Sequence, residues 1–170
     1  MCAQLFRSYG GFDMAHIPAR QLLTHERFMA EALREAEKAR KKAEAPVGAV
    51  VVRDGEIIAR GHNERESKND STLHAEMTAI RRACRKLGTW RLTDCDLYVT
   101  LEPCTMCAGA IIQSRIRTLY IGTSDLKAGA AGSVIDVFRV SAFNHRVDVV
   151  WGVLEQECSA ILKEFFRGLR

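Results

Sequence analysis

Residues 96–114, DLYVTLEPCTMCAGAIIQS, decide the fold, because they join a predicted strand to a predicted helix through two closely spaced cysteines. Residues 96–101 predict a strand, and residues 104–114 are compatible with a helix that starts at Cys104. Cysteines three apart at a helix start lie on one face, so the thiolates of Cys104 and Cys107 can reach one metal ion.

Outward from this stretch, helical and strand patterns alternate along the chain. Apolar residues at helical spacing predict a helix over 25–42 with Thr24 as its N-cap, and a second helix over 73–87 that Gly88 ends. Asp54-Gly55 predicts a hairpin between strands at 47–52 and 56–60. Further strands are predicted at 118–122 and 146–151, and a last helix from 154 to 166. This order predicts a three-layer α/β/α sandwich around a mixed five-stranded sheet.

Composition limits the classes of protein that are possible. A chain of 170 residues with 47% hydrophobic residues fits one compact domain, which we place at residues 25–170 after a leader at residues 1–24. Lys and Arg number 25 against 21 Asp and Glu, so the charge of +4 neither requires nor excludes a nucleic-acid partner. The longest run without these residues, 103–114, is far shorter than the ~20 residues of a membrane span.

Cysteine usage indicates the compartment. The first 24 residues lack the pattern of a secretory signal, so we expect the six cysteines to lie in a reducing compartment, the cytoplasm. Clustered cysteines there bind metal more often than they form disulfides. Cys84, Cys95 and Cys158 lie in or beside apolar elements, where a buried thiol is the expected role.

His74-Ala75-Glu76, at the start of the second predicted helix, complements the cysteine pair. A histidine with two thiolates leaves a tetrahedral zinc ion one open position for water, and a nearby carboxylate can move protons. Residues two apart on a regular helix point roughly 200° apart, so His74 and Glu76 must straddle an irregular first turn if both face the ion. This favours His74 as ligand and Glu76 as an unligated proton shuttle.

Each motif alone has a simpler interpretation. The cysteine pair alone is also typical of a structural zinc site or a redox pair, and His74 with Glu76 alone is typical of a solvated helix start. The two motifs together, with Pro103 before the first cysteine, favour a zinc deaminase.

The chain resembles the bacterial tRNA-specific adenosine deaminases of the zinc-dependent cytidine/deoxycytidylate deaminase superfamily over about residues 25–170. The zinc motifs fit the whole superfamily, whereas later segments narrow the resemblance to the tRNA enzymes, among them residues 129–133 (GAAGS), 143–146 (FNHR) and 165–167 (FFR). The resemblance implies a cytidine deaminase-like fold and a homodimer that converts adenosine to inosine at the wobble position of a tRNA anticodon loop.

The resemblance also implies roles for particular residues. His74, Cys104 and Cys107 would bind one zinc ion per subunit, Glu76 would be the catalytic proton shuttle, and Asn63 would hydrogen-bond the flipped nucleoside. The simpler alternative for Asn63 is a residue that ends a strand, since Asn commonly serves in turns. Four further residues lie in segments that approach RNA or shape the pocket in relatives: Asp125, Lys127, Asn144 and Arg146.

Two other functions stay open at this point. A deaminase of a free base or nucleoside, such as guanine or cytosine, shares the zinc chemistry. A non-catalytic RNA-binding or structural zinc subunit is disfavoured by the presence of Glu76.

Overall fold

The computed structural model describes the backbone of residues 19–169 and the side chains of residues 23–169. Within that range the elements follow the predicted order: α1 (Ala19–Lys41), β1 (Gly48–Arg53), β2 (Glu56–His62), α2 (Ala75–Leu87), β3 (Cys95–Leu101), α3 (Thr105–Gln113), β4 (Thr118–Thr123), β5 (Asp148–Trp151) and α4 (Glu155–Arg167). None of these helices is long and apolar enough to cross a membrane.

The five strands form one mixed sheet in the order β2-β1-β3-β4-β5. β1 pairs antiparallel with both β2 and β3, whereas β3, β4 and β5 run parallel. A parallel pair needs a crossover connection, and α3 supplies it between β3 and β4. The mixed five-stranded sheet is therefore confirmed.

Helices cover both faces of the sheet because successive strand residues point to opposite sides. Val50 and Val52 pack with Phe28 and Met29 of α1. Their neighbours Ala49 and Val51 belong to the core on the opposite face, with side chains of α2 and α3. The molecule thus has the three predicted layers.

Two glycines set how closely helices approach the sheet. A Cβ at Gly48 would overlap the backbone of α1 at Ala32, and a Cβ at Gly61 would overlap the backbone of α2 at Ala75. The absent side chain at Gly61 therefore lets the start of α2 lie directly against the end of β2.

The first helix begins earlier than the sequence predicted. α1 starts at Ala19, so Thr24 lies inside the helix instead of capping it. Residues 19–24 contain no Gly or Pro, and each residue added to an existing helix gains a backbone hydrogen bond. Of the predicted leader at 1–24, residues 1–18 lie outside the described part of the chain, and residues 19–24 are helical.

A long connection between β4 and β5, residues 124–147, contains bends and turns in place of regular elements. It is joined to the rest of the molecule by an isolated bridge between Cys104 and Gly129. The Ala130 amide also donates to the Pro103 carbonyl oxygen at 2.9 Å. These contacts place the connection beside the start of α3.

Candidate active site

The starts of α2 and α3 meet, and each presents its N-cap residue to the other. His74 caps α2 with an extended backbone (φ −72°, ψ 158°), and Cys104 caps α3 in a similar conformation (φ −73°, ψ 175°). Neither side chain makes the usual capping hydrogen bond, so both are available to point into the space between the helices. The positive ends of the two helix dipoles favour thiolate there.

Three donor atoms converge in this space. His74 Nδ1 lies 3.7 Å from Cys104 Sγ and 3.6 Å from Cys107 Sγ, and all three atoms lie within 4.8 Å of one another. A tetrahedral zinc ion with ordinary bond lengths separates a nitrogen and a sulfur ligand by about 3.6 Å. The imidazole and two thiols brought together here therefore form a site able to hold a metal ion, and their spacing and chemistry fit zinc.

Glu76 lies next to the three donor atoms, in the first turn of α2, and is only 3% exposed. Because His74 precedes the helix, the regular 200° offset between residues two apart does not separate the two side chains. Burial raises the pKa of Glu76 to about 7, against the opposing effects of a backbone hydrogen bond and of the His74 imidazole. A carboxyl group with this pKa can accept and release a proton near neutral pH.

The two cysteines shift each other's pKa in opposite directions. The hydrogen bond from Cys107 lowers the pKa of Cys104 to about 3, with a further contribution from His74. The same hydrogen bond, together with burial, raises the pKa of Cys107. The pair therefore carries one thiolate readily, and a cation between the sulfurs favours loss of the second proton.

Glu102 organises the connection that lies over the start of α3. This residue is 2% exposed, and its carboxylate accepts hydrogen bonds from three backbone amides: Asp125 at 2.9 Å, Ala131 at 2.9 Å and Ser133 at 3.1 Å. Gly129 has no room for a side chain because a Cβ would overlap this carboxylate. Glu102 thus fixes residues 125–133 against the site.

Asn63 directly follows β2, and the end of β2 lies against the start of α2. The backbone amide of Asn63 donates to the Val47 carbonyl oxygen at 3.1 Å, and the amide of Glu64 donates to the Leu73 carbonyl oxygen at 3.0 Å. The second bond ties the segment after β2 to Leu73, the residue before His74. The Asn63 side chain is 8% exposed and donates from Nδ2 to the carboxylate of Glu44 at 3.2 Å.

Glu44 and Glu102 were not identified from the sequence. Isolated glutamates are usually solvated, so neither residue carries a local sign of burial. Position offers one signal for Glu102, since it directly precedes Pro103 and Cys104.

The four residues that the resemblance placed near RNA have different surroundings. Asp125 accepts from the amides of Lys127 at 2.9 Å and Ala128 at 3.2 Å, which is a turn-forming role. Asn144 Oδ1 accepts from Arg115 at 2.6 Å. The side chains of Lys127 and Arg146 are exposed.

Known deaminases are similar to this chain in sequence and in structure. A family model described as MafB19-like deaminase matches residues 23–170. The tRNA-specific adenosine deaminase of Bacillus subtilis (strain 168) is 52% identical over 145 residues, 85% of this chain and 90% of the relative.

Two solved structures are similar over much of the chain. One, from work on A-to-I editing by tRNA:A34 deaminases at the wobble position of transfer RNA, is 50% identical with a TM-score of 0.77. It covers 80% of this chain and 99% of that one. The other, a guanine deaminase from Bacillus subtilis, is 43% identical with a TM-score of 0.59, covering 67% of this chain and 73% of its own.

Proposed function

Because this chain belongs to the MafB19-like deaminase family and is about half identical to tRNA-specific adenosine deaminases, we propose that it converts adenosine to inosine at the wobble position of tRNA. The observation that carries this proposal is the convergence of His74, Cys104 and Cys107 on one point beside the buried carboxyl group of Glu76. The reaction is hydrolytic: adenosine and water give inosine and ammonia.

We assign one zinc ion per subunit to the imidazole of His74 and the thiolates of Cys104 and Cys107. When bound, zinc supplies Lewis-acid activation of water near neutral pH. Three protein ligands leave a position open for that water, as catalytic zinc sites require.

Glu76 moves the protons of the reaction. Its carboxylate takes a proton from the attacking water and delivers a proton to N1 of the adenine ring as the new bond to C6 forms. The carboxylate then takes the proton of the hydroxyl group added at C6 and delivers it to the exocyclic nitrogen, so that the C6–N bond breaks, ammonia leaves, the C6 carbonyl forms and the carboxylate is restored. The pKa of about 7 produced by burial suits both directions of transfer.

A loop of RNA suits the position of this site. The reacting base must leave its stack to reach Glu76, and a loop nucleotide does so at lower cost than a base in a duplex. An open groove of about 460 Å³ near the end of β4 has a mixed lining that includes Lys163, Phe166 and Arg167 of α4. Such side chains suit phosphates and unstacked bases.

The decisive experiment is incubation of the zinc-loaded protein with a tRNA that carries adenosine at the wobble position, followed by sequencing. We expect inosine at that position and none elsewhere in the anticodon loop. Glu76→Gln is the matched control, because it keeps the metal ligands and removes the proton shuttle. Zinc-loaded protein that leaves the tRNA unchanged would overturn the proposal.

Deamination of a free base is the second candidate, since the chain is also similar to a guanine deaminase. The same preparation is offered guanine, cytosine and their nucleosides, and released ammonia is measured. Ammonia from these substrates together with unmodified tRNA would favour this second function.

We also propose that the enzyme is a cytoplasmic homodimer. Tertiary structure leaves five large apolar side chains 43–78% exposed in the connection before β5: Leu126, Val134, Ile135, Val140 and Phe143. Burial of this surface by a second copy would stabilise a dimer. Sedimentation of the wild type and of Phe143→Ser tests this. The variant dimer should dissociate at protein concentrations at which the wild type is still dimeric.

A further inference from the structure

Glu44 is a fully buried glutamate outside the proposed zinc site. It is 0% exposed, yet its carboxylate accepts three hydrogen bonds: from Asn63 Nδ2 at 3.2 Å, the Glu66 amide at 3.2 Å and the Ser67 amide at 2.6 Å. Burial alone would raise the pKa of Glu44, but the bonds from Ser67 and Glu66 outweigh it and hold the pKa below its ordinary value. The group is therefore a carboxylate, which can accept hydrogen bonds and cannot donate them.

The backbone on both sides of this contact is fixed. The Glu44 amide donates to the Ala39 carbonyl oxygen at 3.1 Å, which ties it to the end of α1. Ala43, just before it, adopts a left-handed conformation (φ 59°) that ends the helix. Asn63 is held by its own bond to Val47. Glu44 and Asn63 therefore meet as two anchored side chains.

The contact determines which way the Asn63 amide faces. The oxygen and nitrogen of an Asn side chain are nearly alike in size, so an unanchored amide can rotate by half a turn at little cost. A carboxylate partner accepts only the orientation that turns Nδ2 towards it. Within residues 23–169, no group donates a hydrogen bond to Asn63 Oδ1. The oxygen and the second N–H of the amide are thus available to a ligand.

We propose that Glu44 is a positioning residue that fixes the Asn63 amide so that it pairs with adenine and not with a 6-oxopurine. This inference rests on the proposed function and on the nucleoside-binding role that the family resemblance implies for Asn63. Adenine offers an acceptor at N7 and a donor at its exocyclic nitrogen, whereas guanine offers two acceptors along the same edge. In the orientation that Glu44 imposes, the free N–H can donate to N7 and Oδ1 can accept from the exocyclic nitrogen of adenine. With guanine, Oδ1 would instead face the oxygen at C6, and the two acceptors would repel each other.

A double-mutant cycle distinguishes this positioning role from a purely structural one, in which Glu44 only holds residues 64–67 in place. Rates of inosine formation (kcat/KM) are measured on an anticodon stem-loop RNA for the wild type, Glu44→Gln, Asn63→Ala and the double variant. We expect Glu44→Gln to reduce kcat/KM about 10-fold in the wild type but less than about 2-fold in the Asn63→Ala background. Equal losses in both backgrounds would overturn the proposal.

Glu102→Gln is the matched control, because Glu102 is also a buried glutamate that accepts backbone hydrogen bonds but has no contact with Asn63. Glu102→Gln should reduce kcat/KM by the same factor with or without Asn63→Ala. Coupling as strong as that of Glu44 would contradict a specific role for Glu44. Wild-type protein that produces no inosine would instead remove the proposed function.

A second substrate tests the orientation of the amide directly. An RNA with 7-deazaadenosine at the wobble position lacks the N7 acceptor. We expect this change to reduce kcat/KM about 10-fold for the wild type and less than about 3-fold for Glu44→Gln and Asn63→Ala. The pairing of the Asn63 amide with N7 would be refuted if 7-deazaadenosine reduced kcat/KM equally in the wild type and both variants. It would also be refuted if the wild type showed no reduction.

An exchange of the two groups covers the case in which Glu44→Gln folds poorly. Asn63→Asp alone places two buried carboxylates together and should lower both activity and the thermal midpoint. Addition of Glu44→Gln restores a donor and acceptor pair between the two positions and should recover the thermal midpoint, whereas kcat/KM should stay low because the introduced carboxylate has no N–H to donate to N7. A soluble, zinc-containing double variant that forms inosine as fast as the wild type would contradict the proposal.

Discussion

Truncation of Glu102 to alanine removes the one carboxylate that accepts the amides of Asp125, Ala131 and Ser133. A hydrogen bond to a charged group contributes about 1.5–3 kcal/mol, and a buried donor without a partner costs a similar amount. The Ala131 bond is buried, whereas the other two are partly exposed and can be replaced by water. We therefore expect Glu102→Ala to lower the free energy of unfolding by about 3–5 kcal/mol.

Urea unfolding of the zinc-loaded protein, followed by circular dichroism, measures this change. With a slope of about 2 kcal/mol/M, the midpoint should fall by about 1.5–2.5 M. Glu56→Ala is the control, because it truncates an exposed glutamate at the start of β2 and should leave the midpoint nearly unchanged. A loss below about 1 kcal/mol for Glu102→Ala at an unchanged slope would refute the reasoning, since it would mean that the three amides find other partners.

Three further predictions concern the proposed zinc site and the packing of α1 against the sheet. Cys107→Ser should reduce bound zinc, measured by elemental analysis, and lower the thermal midpoint, because metal binding and folding are coupled; full retention of zinc would contradict the ligand assignment. In chelated protein, burial that raises the pKa of Glu76 to about 7 gives a stability contribution that is present below the unfolded pKa and is lost as pH rises through about 7. The urea midpoint of the chelated wild type should therefore fall between pH 5 and pH 8 more than that of Glu76→Gln, and parallel curves would contradict this. Gly48→Ala should destabilise the protein by about 1–3 kcal/mol because a Cβ there overlaps α1, whereas Gly109→Ala, with open space around it, should be neutral or stabilising in thermal unfolding.

Much of the fold follows from local patterns. The predicted order of helices and strands is confirmed, because periodicity and the stops at Asp54-Gly55 and Gly88 depend on neighbouring residues. The start of α1 is the clearest error: good helix formers continued the helix beyond the candidate cap at Thr24. A capping residue is favourable at a helix start but does not by itself end a helix.

The candidate site divides in the same way. Short motifs indicated His74, Glu76, Cys104 and Cys107, because a metal-binding helix start brings ligands together over a few residues. Those assignments remain predictions, while the structure supplies the 3.6 and 3.7 Å separations that make them testable. No motif singled out Glu44, and the one local signal for Glu102 is its place directly before Pro103 and Cys104.

The sequence alone determined the elements, the mixed sheet and the set of residues suited to zinc chemistry, since each depends on spacing along the chain. Tertiary structure decided which buried carboxylate holds which partner. Glu44 and Asn63 are 19 residues apart, and Glu102 and Ala131 are 29 apart. Whether a glutamate is solvated or buried depends on what distant segments place around it, and no local pattern records that. The orientation of the Asn63 amide is therefore a property of the folded chain.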